Sequence, residues 1–218
     1  TGSMIGIAPN ADILLGSFDS QAQMADAINL ARSIGAVAIN NSWGYTNLNA
    51  TQPGYDSAFG GNGGATYLQA LRSYAAEGVV VFALRNDENL TRAGIMDGLP
   101  VLEPQLESGW IAVGNAVPEY DDTSIQSVER ISSACLESAR WCLFADGAWE
   151  STTAGGGYEF STGASFAAPQ VSGALALLAE AFSGMGLTPH QLRDRLLASA
   201  DNSFLDSFDG ILDFGNGV

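Results

Sequence analysis

Residues 160–178 read Phe-Ser-Thr-Gly-Ala-Ser-Phe-Ala-Ala-Pro-Gln-Val-Ser-Gly-Ala-Leu-Ala-Leu-Leu, and this run decides the fold. A glycine run (Gly155, Gly156, Gly157) and a short β-like piece lead into it. From Gly163-Ala164-Ser165 onward the apolar pattern predicts a helix reaching about Phe182. Ser165 then stands at a helix N-terminus, where unpaired N–H groups and the positive end of the dipole favour developing negative charge. Gly163 lets the backbone turn sharply and lets a substrate approach closely. Pro169 fits because the helix has only just begun; its missing N–H would otherwise bond the carbonyl of Ser165. Serine is also a preferred N-cap, so by itself the residue reads as a cap.

Upstream, residues 12–18 read as a buried strand, an apolar run bounded by turn residues. Met24, Ala27, Ile28 and Ala31 have helical spacing within a helix predicted at 21–33, which Gly35 stops. A strand at 36–40 ends in Asn40-Asn41-Ser42-Trp43-Gly44, and a long Asn/Gly/Thr-rich loop is expected over 45–64. A helix at 65–77, stopped by Gly78, leads to a strand at 79–84 and then to Arg85-Asn86-Asp87-Glu88. Loop follows over 89–109, a strand at 110–113, and a loop-rich stretch to 157 with short strands near Ile131 and at 141–144. Thr188 caps a last helix at 189–199, with Pro189 in its first position. A polar, Gly-rich tail ends the chain.

Strand alternating with helix predicts an α/β fold, a three-layer, mostly parallel sheet flanked by helices, in a single domain over 1–218. In such sheets functional groups gather beyond the carboxyl ends of the strands. Ser42-Trp43-Gly44 and Asn86 fall there, and with Ser165 they make a constellation, although each alone reads as turn chemistry.

The chain has 218 residues and a net charge of −16, and its eight basic residues are all arginine. That charge argues against nucleic acid and anionic membrane as partners. No apolar run reaches transmembrane length and no signal peptide opens the chain. Two cysteines, Cys135 and Cys142, bound a short loop; a disulfide there fits an exported protein and contributes at most about 2 kcal/mol, and two buried thiols are the alternative. A single histidine, His190, leaves no Cys/His zinc site. The run Gly60-Gly61-Asn62-Gly63-Gly64 raises a nucleotide-binding reading, but it follows no clear strand and lacks the dinucleotide spacing.

Gly163-Ala164-Ser165-Phe166-Ala167-Ala168-Pro169 resembles the nucleophile segment of subtilisin-like serine peptidases, departing at Ala164, where the family usually has threonine. It is not an α/β-hydrolase elbow, which needs glycine where Ala167 stands. Most of the chain shares the resemblance. Residues 6–11 look like the segment after the catalytic histidine helix, Ile39-Asn40-Asn41-Ser42-Trp43-Gly44 like the strand edge that pairs with the substrate backbone and walls the primary specificity pocket, and residues 78–87 like the strand ending in the oxyanion asparagine. Arg85 departs from a usual glycine. The cysteine loop with Trp141 looks most like peptidase passengers of bacterial autotransporters, which implies a secreted or cell-surface protein.

The resemblance implies a serine endopeptidase working through an acyl-enzyme. Ser165 is the nucleophile, Asn86 and the Ser165 N–H hold the oxyanion, and Ser42, Trp43, Gly44, Ala83, Leu84 and Arg85 bind the peptide. Arg85 either crowds the pocket floor or attracts an acidic side chain. The family's aspartate and histidine are absent; His190, in a helix first turn, reads as a solvated position rather than a base. The chain is thus expected to be the C-terminal two-thirds of a peptidase domain, inactive by itself, whose missing N-terminal segment is its partner. A pseudopeptidase that binds peptide without cleavage is the alternative. No cofactor is expected; calcium is common in the family and Asp87-Glu88 and Asp121-Asp122 carry suitable oxygens, but no metal site is assigned.

Overall fold

The computed structural model describes residues 6–122, 124–205 and 209–218. In chain order the elements are α1 (Gln21–Ser33), β1 (Ala38–Asn41), α2 (Gln52–Phe59), α3 (Gly64–Ala75), β2 (Val79–Ala83), β3 (Trp110–Tyr120), β4 (Ile125–Arg130), β5 (Cys142–Ala145), β6 (Ala148–Thr152), β7 (Tyr158–Thr162), α4 (Ala164–Ala181), α5 (Pro189–Ser199) and α6 (Asp209–Phe214). Short 3-10 turns lie at Leu99–Val101, Pro104–Gly109, Leu136–Trp141 and Ser183–Met185.

β1, β2, β3 and β5 run parallel in that spatial order, while β4 pairs antiparallel with the far half of β3. The alternation along β2 shows why the sheet is covered on both faces. Val80 and Phe82 point into a core shared with α1 and α3, and Val79 and Val81 into a core shared with α4 and α5. β3 repeats this, with Trp110 and Ala112 on the first side and Ile111 and Val113 on the second. The Trp110 and Phe82 rings stack 5.3 Å apart at the centre of the first core. The mixed sheet with helices on both faces is the α/β, three-layer arrangement expected from the alternation of elements.

Local chemistry accounts for the helices. Ser20 caps α1, and Thr188 caps α5 in a full capping box with Gln191, with Pro189 at the helix start. In the segment expected to be loop over 45–64, Thr51 caps the extra helix α2, with Pro53 in its first turn. The glycine run is the turn that joins α2 to α3, with Gly63 at φ +87, so its glycines serve a tight connection.

Residues 12–18 depart from the strand expected there. They form no strand, and Ile13, Leu15 and Phe18 are 82%, 90% and 67% exposed. A strand exists only where its backbone groups find partners, and none pairs with this segment among the described residues. The chain here passes from Ile7, against Gly173 of α4, to Gly16, against Ala27 of α1. The outer edge of β1 is likewise unpaired among the described residues. His190 also differs from the solvated position expected of it. Its ring is half-buried and Nε2 lies 2.8 Å from the carbonyl of Ala75, just before β2 begins.

Candidate active site

Ser165 is the second residue of α4, so its N–H has no intrahelical acceptor. The turn before it depends on Gly163, whose φ of +155 and ψ of 159 only glycine adopts readily. A Cβ there would sit 3.2 Å from Asn86 Nδ2. Asn115, fully buried, aims this turn: its Oδ1 accepts the Gly147 N–H at 2.8 Å and its Nδ2 donates to Thr162 Oγ1 at 3.1 Å. Gly163 N–H in turn donates to the Gly147 carbonyl at 3.2 Å. Sequence reasoning missed Asn115; the only local signal was a polar residue inside an apolar strand.

Pro169 lies within α4 and offers no N–H to the Ser165 carbonyl. The Ser42 hydroxyl takes that role, donating to Ser165 O at 2.8 Å. In return Ser165 Oγ points at the Ser42 carbonyl, 3.4 Å away. The end of β1 and the start of α4 are therefore joined by a reciprocal hydroxyl–carbonyl exchange across 123 residues of sequence.

Asn86 follows β2 and reaches the same helix start, its Oδ1 accepting the Ala164 N–H at 2.8 Å. Fixing the oxygen in this way turns Nδ2 outward, and no hydrogen bond within the described residues engages it. Two donors, Asn86 Nδ2 and the Ser165 N–H, thus stand beside one hydroxyl. Such a pair suits an oxygen that gains negative charge.

Ser42, Trp43 and Gly44 continue from β1 without regular pairing, and a Cβ on Gly44 would meet open space. Trp43 packs edge-on against Phe82 with ring centroids 5.6 Å apart, and its Nε1 donates to Asn41 Oδ1 at 3.2 Å. A cavity of about 450 Å³ opens beside Ser165, lined by Ser42, Trp43, Gly44, Ala83, Leu84, Arg85 and Asn86 among others. All eight residues singled out for catalysis and peptide binding therefore border one cavity. Its far side holds the buried carboxyl of Asp97, which burial pushes up to about 6 against the pull of the Gly94 N–H and the Arg85 charge.

Cys135 and Cys142 are joined by a disulfide with Cα atoms 5.9 Å apart. Asp87 and Glu88 are exposed beside the cavity, and Asp87 Oδ1 accepts the Asn89 N–H at 3.0 Å. Asp121 accepts the Ser124 N–H at 2.9 Å in a turn of its own. Among the described residues no three His, Cys, Asp or Glu side chains converge on a metal position. Nor is any helix of these residues long and apolar enough to cross a membrane.

The chain is similar to known proteins along nearly all its length. It is 28% identical over 207 residues to serotype-specific antigen 1 of Mannheimia haemolytica, a match covering 89% of this chain and 21% of that protein. Among solved structures, the prenylagaramide maturation protease PagA superposes with a TM-score of 0.64 at 24% identity, covering 95% of this chain and 66% of that one. The patellamide maturation protease PatG gives 0.65 at 20% identity, covering 97% and 58%. At these identities the two structures share the fold, and the chain spans less than two thirds of each relative. The subtilase peptidase family model matches residues 1–217, and the chain belongs to that family.

Proposed function

We propose that this chain carries the nucleophile side of a serine endopeptidase. Ser165 attacks the scissile carbonyl, Asn86 Nδ2 and the Ser165 N–H receive the oxyanion, and Ser42 to Gly44 add a short strand to the peptide substrate. The observation that carries this reading is the reciprocal Ser42–Ser165 exchange beside an asparagine whose amide nitrogen is left free. The aspartate and histidine that complete such a site come, in this reading, from polypeptide outside the described residues. The unpaired edge of β1 and the exposed Ile13, Leu15 and Phe18 support a further strand there. The disulfide and the relative named as a serotype antigen support an exported protein, secreted or held at the bacterial cell surface as an autotransporter passenger is. The charge of −16 favours peptide over nucleic acid or anionic membrane as partner.

A second reading, a peptide-binding module without turnover, is favoured by one observation. Among the described residues the Ser165 hydroxyl has only the Ser42 carbonyl as partner, and His190 lies at the opposite end of β2. A fluorophosphonate probe separates the two. In the polypeptide as its source makes it, Ser165 is expected to label rapidly and Ser165→Ala to abolish peptide hydrolysis. Residues 1–218 alone should be slower by about 10⁶, the order known for removing the base from a subtilisin-type triad. Peptide binding with no labelling in the whole polypeptide would establish the second reading instead.

A further inference from the structure

Asn86 Nδ2 and the Ser165 N–H stand on separate stretches of chain, and a closed circuit of hydrogen bonds joins those stretches. Asn86 Oδ1 accepts the Ala164 N–H at 2.8 Å. One residue back, the Gly163 N–H donates to the Gly147 carbonyl at 3.2 Å, and the Gly147 N–H donates to Asn115 Oδ1 at 2.8 Å. The Asn115 N–H donates to Ser132 Oγ at 2.9 Å. The residue after Ser132 brings the circuit back to its start: the Ser133 N–H donates to the Arg85 carbonyl at 2.8 Å, and Arg85 is peptide-bonded to Asn86.

Two joints of this circuit, Asn115 and Ser132, are fully buried side chains. Alternation along β3 puts Asn115 on the face of Ile111 and Val113, which packs on α4. An apolar residue would suit that face, and a polar one stays there only with its groups paired. Oδ1 has the Gly147 N–H, Nδ2 donates to Thr162 Oγ1 at 3.1 Å, and the Asn115 carbonyl accepts the Ile131 N–H at 2.9 Å. Ser132 Oγ accepts from Asn115 and donates to the Ser133 carbonyl at 3.2 Å.

The circuit has little slack. A Cβ on Gly147 would lie 2.3 Å from the Gly163 carbonyl oxygen and 2.8 Å from Asn115 Oδ1, and a Cβ on Gly163 would lie 3.2 Å from Asn86 Nδ2. The described residues that line the cavity beside Ser165 include neither Asn115 nor Ser132. Their effect on an oxygen bound at Ser165 therefore passes through Asn86 and the turn at Gly163.

Resting on the serine-peptidase reading, we propose that Asn115 and Ser132 are positioning residues of the oxyanion hole. They hold the Asn86 loop against the turn that starts α4, so that Asn86 Nδ2 and the Ser165 N–H converge on one oxygen. Thr162 secures the free end of the Asn115 amide. Convergence matters because a misplacement of about 1 Å costs about 10² in rate.

The test is a double-mutant cycle in kcat on the polypeptide as its source makes it, joined to amide hydrogen exchange. Asn115→Ala is expected to lower kcat by about 10–10², the scale of such a misplacement, with KM little moved. In the Asn86→Ala background one of the two donors is already gone, so the same substitution should cost several-fold less; an equal loss in both backgrounds overturns the proposal. Ser132→Ala should lower kcat likewise and add little to Asn115→Ala, and full multiplication of the two losses overturns the role of Ser132. Thr162 is exposed, so its variants stay informative if Asn115→Ala does not fold. Thr162→Val withdraws only the Nδ2 anchor and should lower kcat several-fold, while Thr162→Ser keeps the hydroxyl and should restore it; equal kcat in the two overturns the proposal. A wild-type polypeptide that hydrolyses no peptide refutes the peptidase reading instead. Exchange of the Ala164 amide, which needs no turnover, then decides the geometry. Exchange several-fold faster in Thr162→Val than in Thr162→Ser, with the Val81 and Ile111 amides unchanged, supports the circuit, and equal exchange overturns it.

Discussion

The exchange between Ser42 and Ser165 predicts a measurable coupling between Ser42 and Pro169, two residues whose interaction is indirect. Pro169 deprives the Ser165 carbonyl of its helical donor, and the Ser42 hydroxyl replaces it at 2.8 Å. In the wild-type background Ser42→Ala removes that bond and leaves the carbonyl unpaired, at a cost of about 2 kcal/mol. It also frees Asn40 Nδ2, which donates to Ser42 Oγ at 3.0 Å, but this loss occurs in either background and cancels. Pro169→Ala supplies a new N–H four residues after Ser165. In that background the carbonyl keeps a partner, and the cost of Ser42→Ala should fall to about 1 kcal/mol or less. The expected interaction energy is therefore about 1 kcal/mol, read from urea unfolding of the four proteins of the cycle. Additivity within about 0.3 kcal/mol would refute the argument, because it would mean that the two donors do not compete for one acceptor.

Three further outcomes follow from the same geometry. Gly163→Ala forces a side chain into a glycine-only conformation 3.2 Å from Asn86 Nδ2; a loss of about 1–3 kcal/mol in unfolding free energy is expected, with little loss in Gly155→Ala, where a Cβ meets open space. Asn86→Ala in the active polypeptide should lower kcat by about 10²–10³ while leaving KM nearly unchanged, as loss of one oxyanion donor does, and an equal rise in KM would assign Asn86 to ground-state binding. Burial raises the folded pKa of Asp97 to about 6, above its usual 3.8, so above pH 6 both folded and unfolded states are ionised and the burial penalty is fully present. Between those values the folded state holds the proton and the unfolded state does not, so stability rises as pH falls; relative to Asp97→Asn, the wild type should gain about 1–3 kcal/mol from pH 7.5 to 4.5.

What the sequence made legible is what local chemistry controls. α5 carries its whole argument in Thr188, Pro189 and Gln191, and the structure starts it at Pro189. The same Thr-and-Pro signal stands at Thr51 and Pro53 at the start of α2, but in a stretch so rich in Asn and Gly that its composition reads as loop. Residues 12–18 have strand composition but no strand, because pairing is a property of the neighbours and not of the segment. The apolar run of β2 correctly placed Asn86 beyond its end, since a buried parallel strand announces itself by continuous hydrophobicity. Asn115 and the hydrogen bond from Trp141 Nε1 to the Asp97 carbonyl were illegible for the opposite reason. Gly147 is 32 positions from Asn115, and Trp141 is 44 from Asp97, so nothing local encodes those partners.

The bare edge of β1, with Ile13, Leu15 and Phe18 uncovered nearby, has a colloidal consequence. An unpaired strand edge beside greasy surface invites copies of the chain to stick together. The charge of −16 opposes this, because like-charged molecules repel before their sticky faces can meet. That protection reaches only as far as the ionic atmosphere allows, about 10 Å at 0.1 M salt and about 3 Å at 1 M. Dispersed molecules at low ionic strength should therefore cluster as salt is added, and a strand laid along that edge would make their solubility indifferent to it.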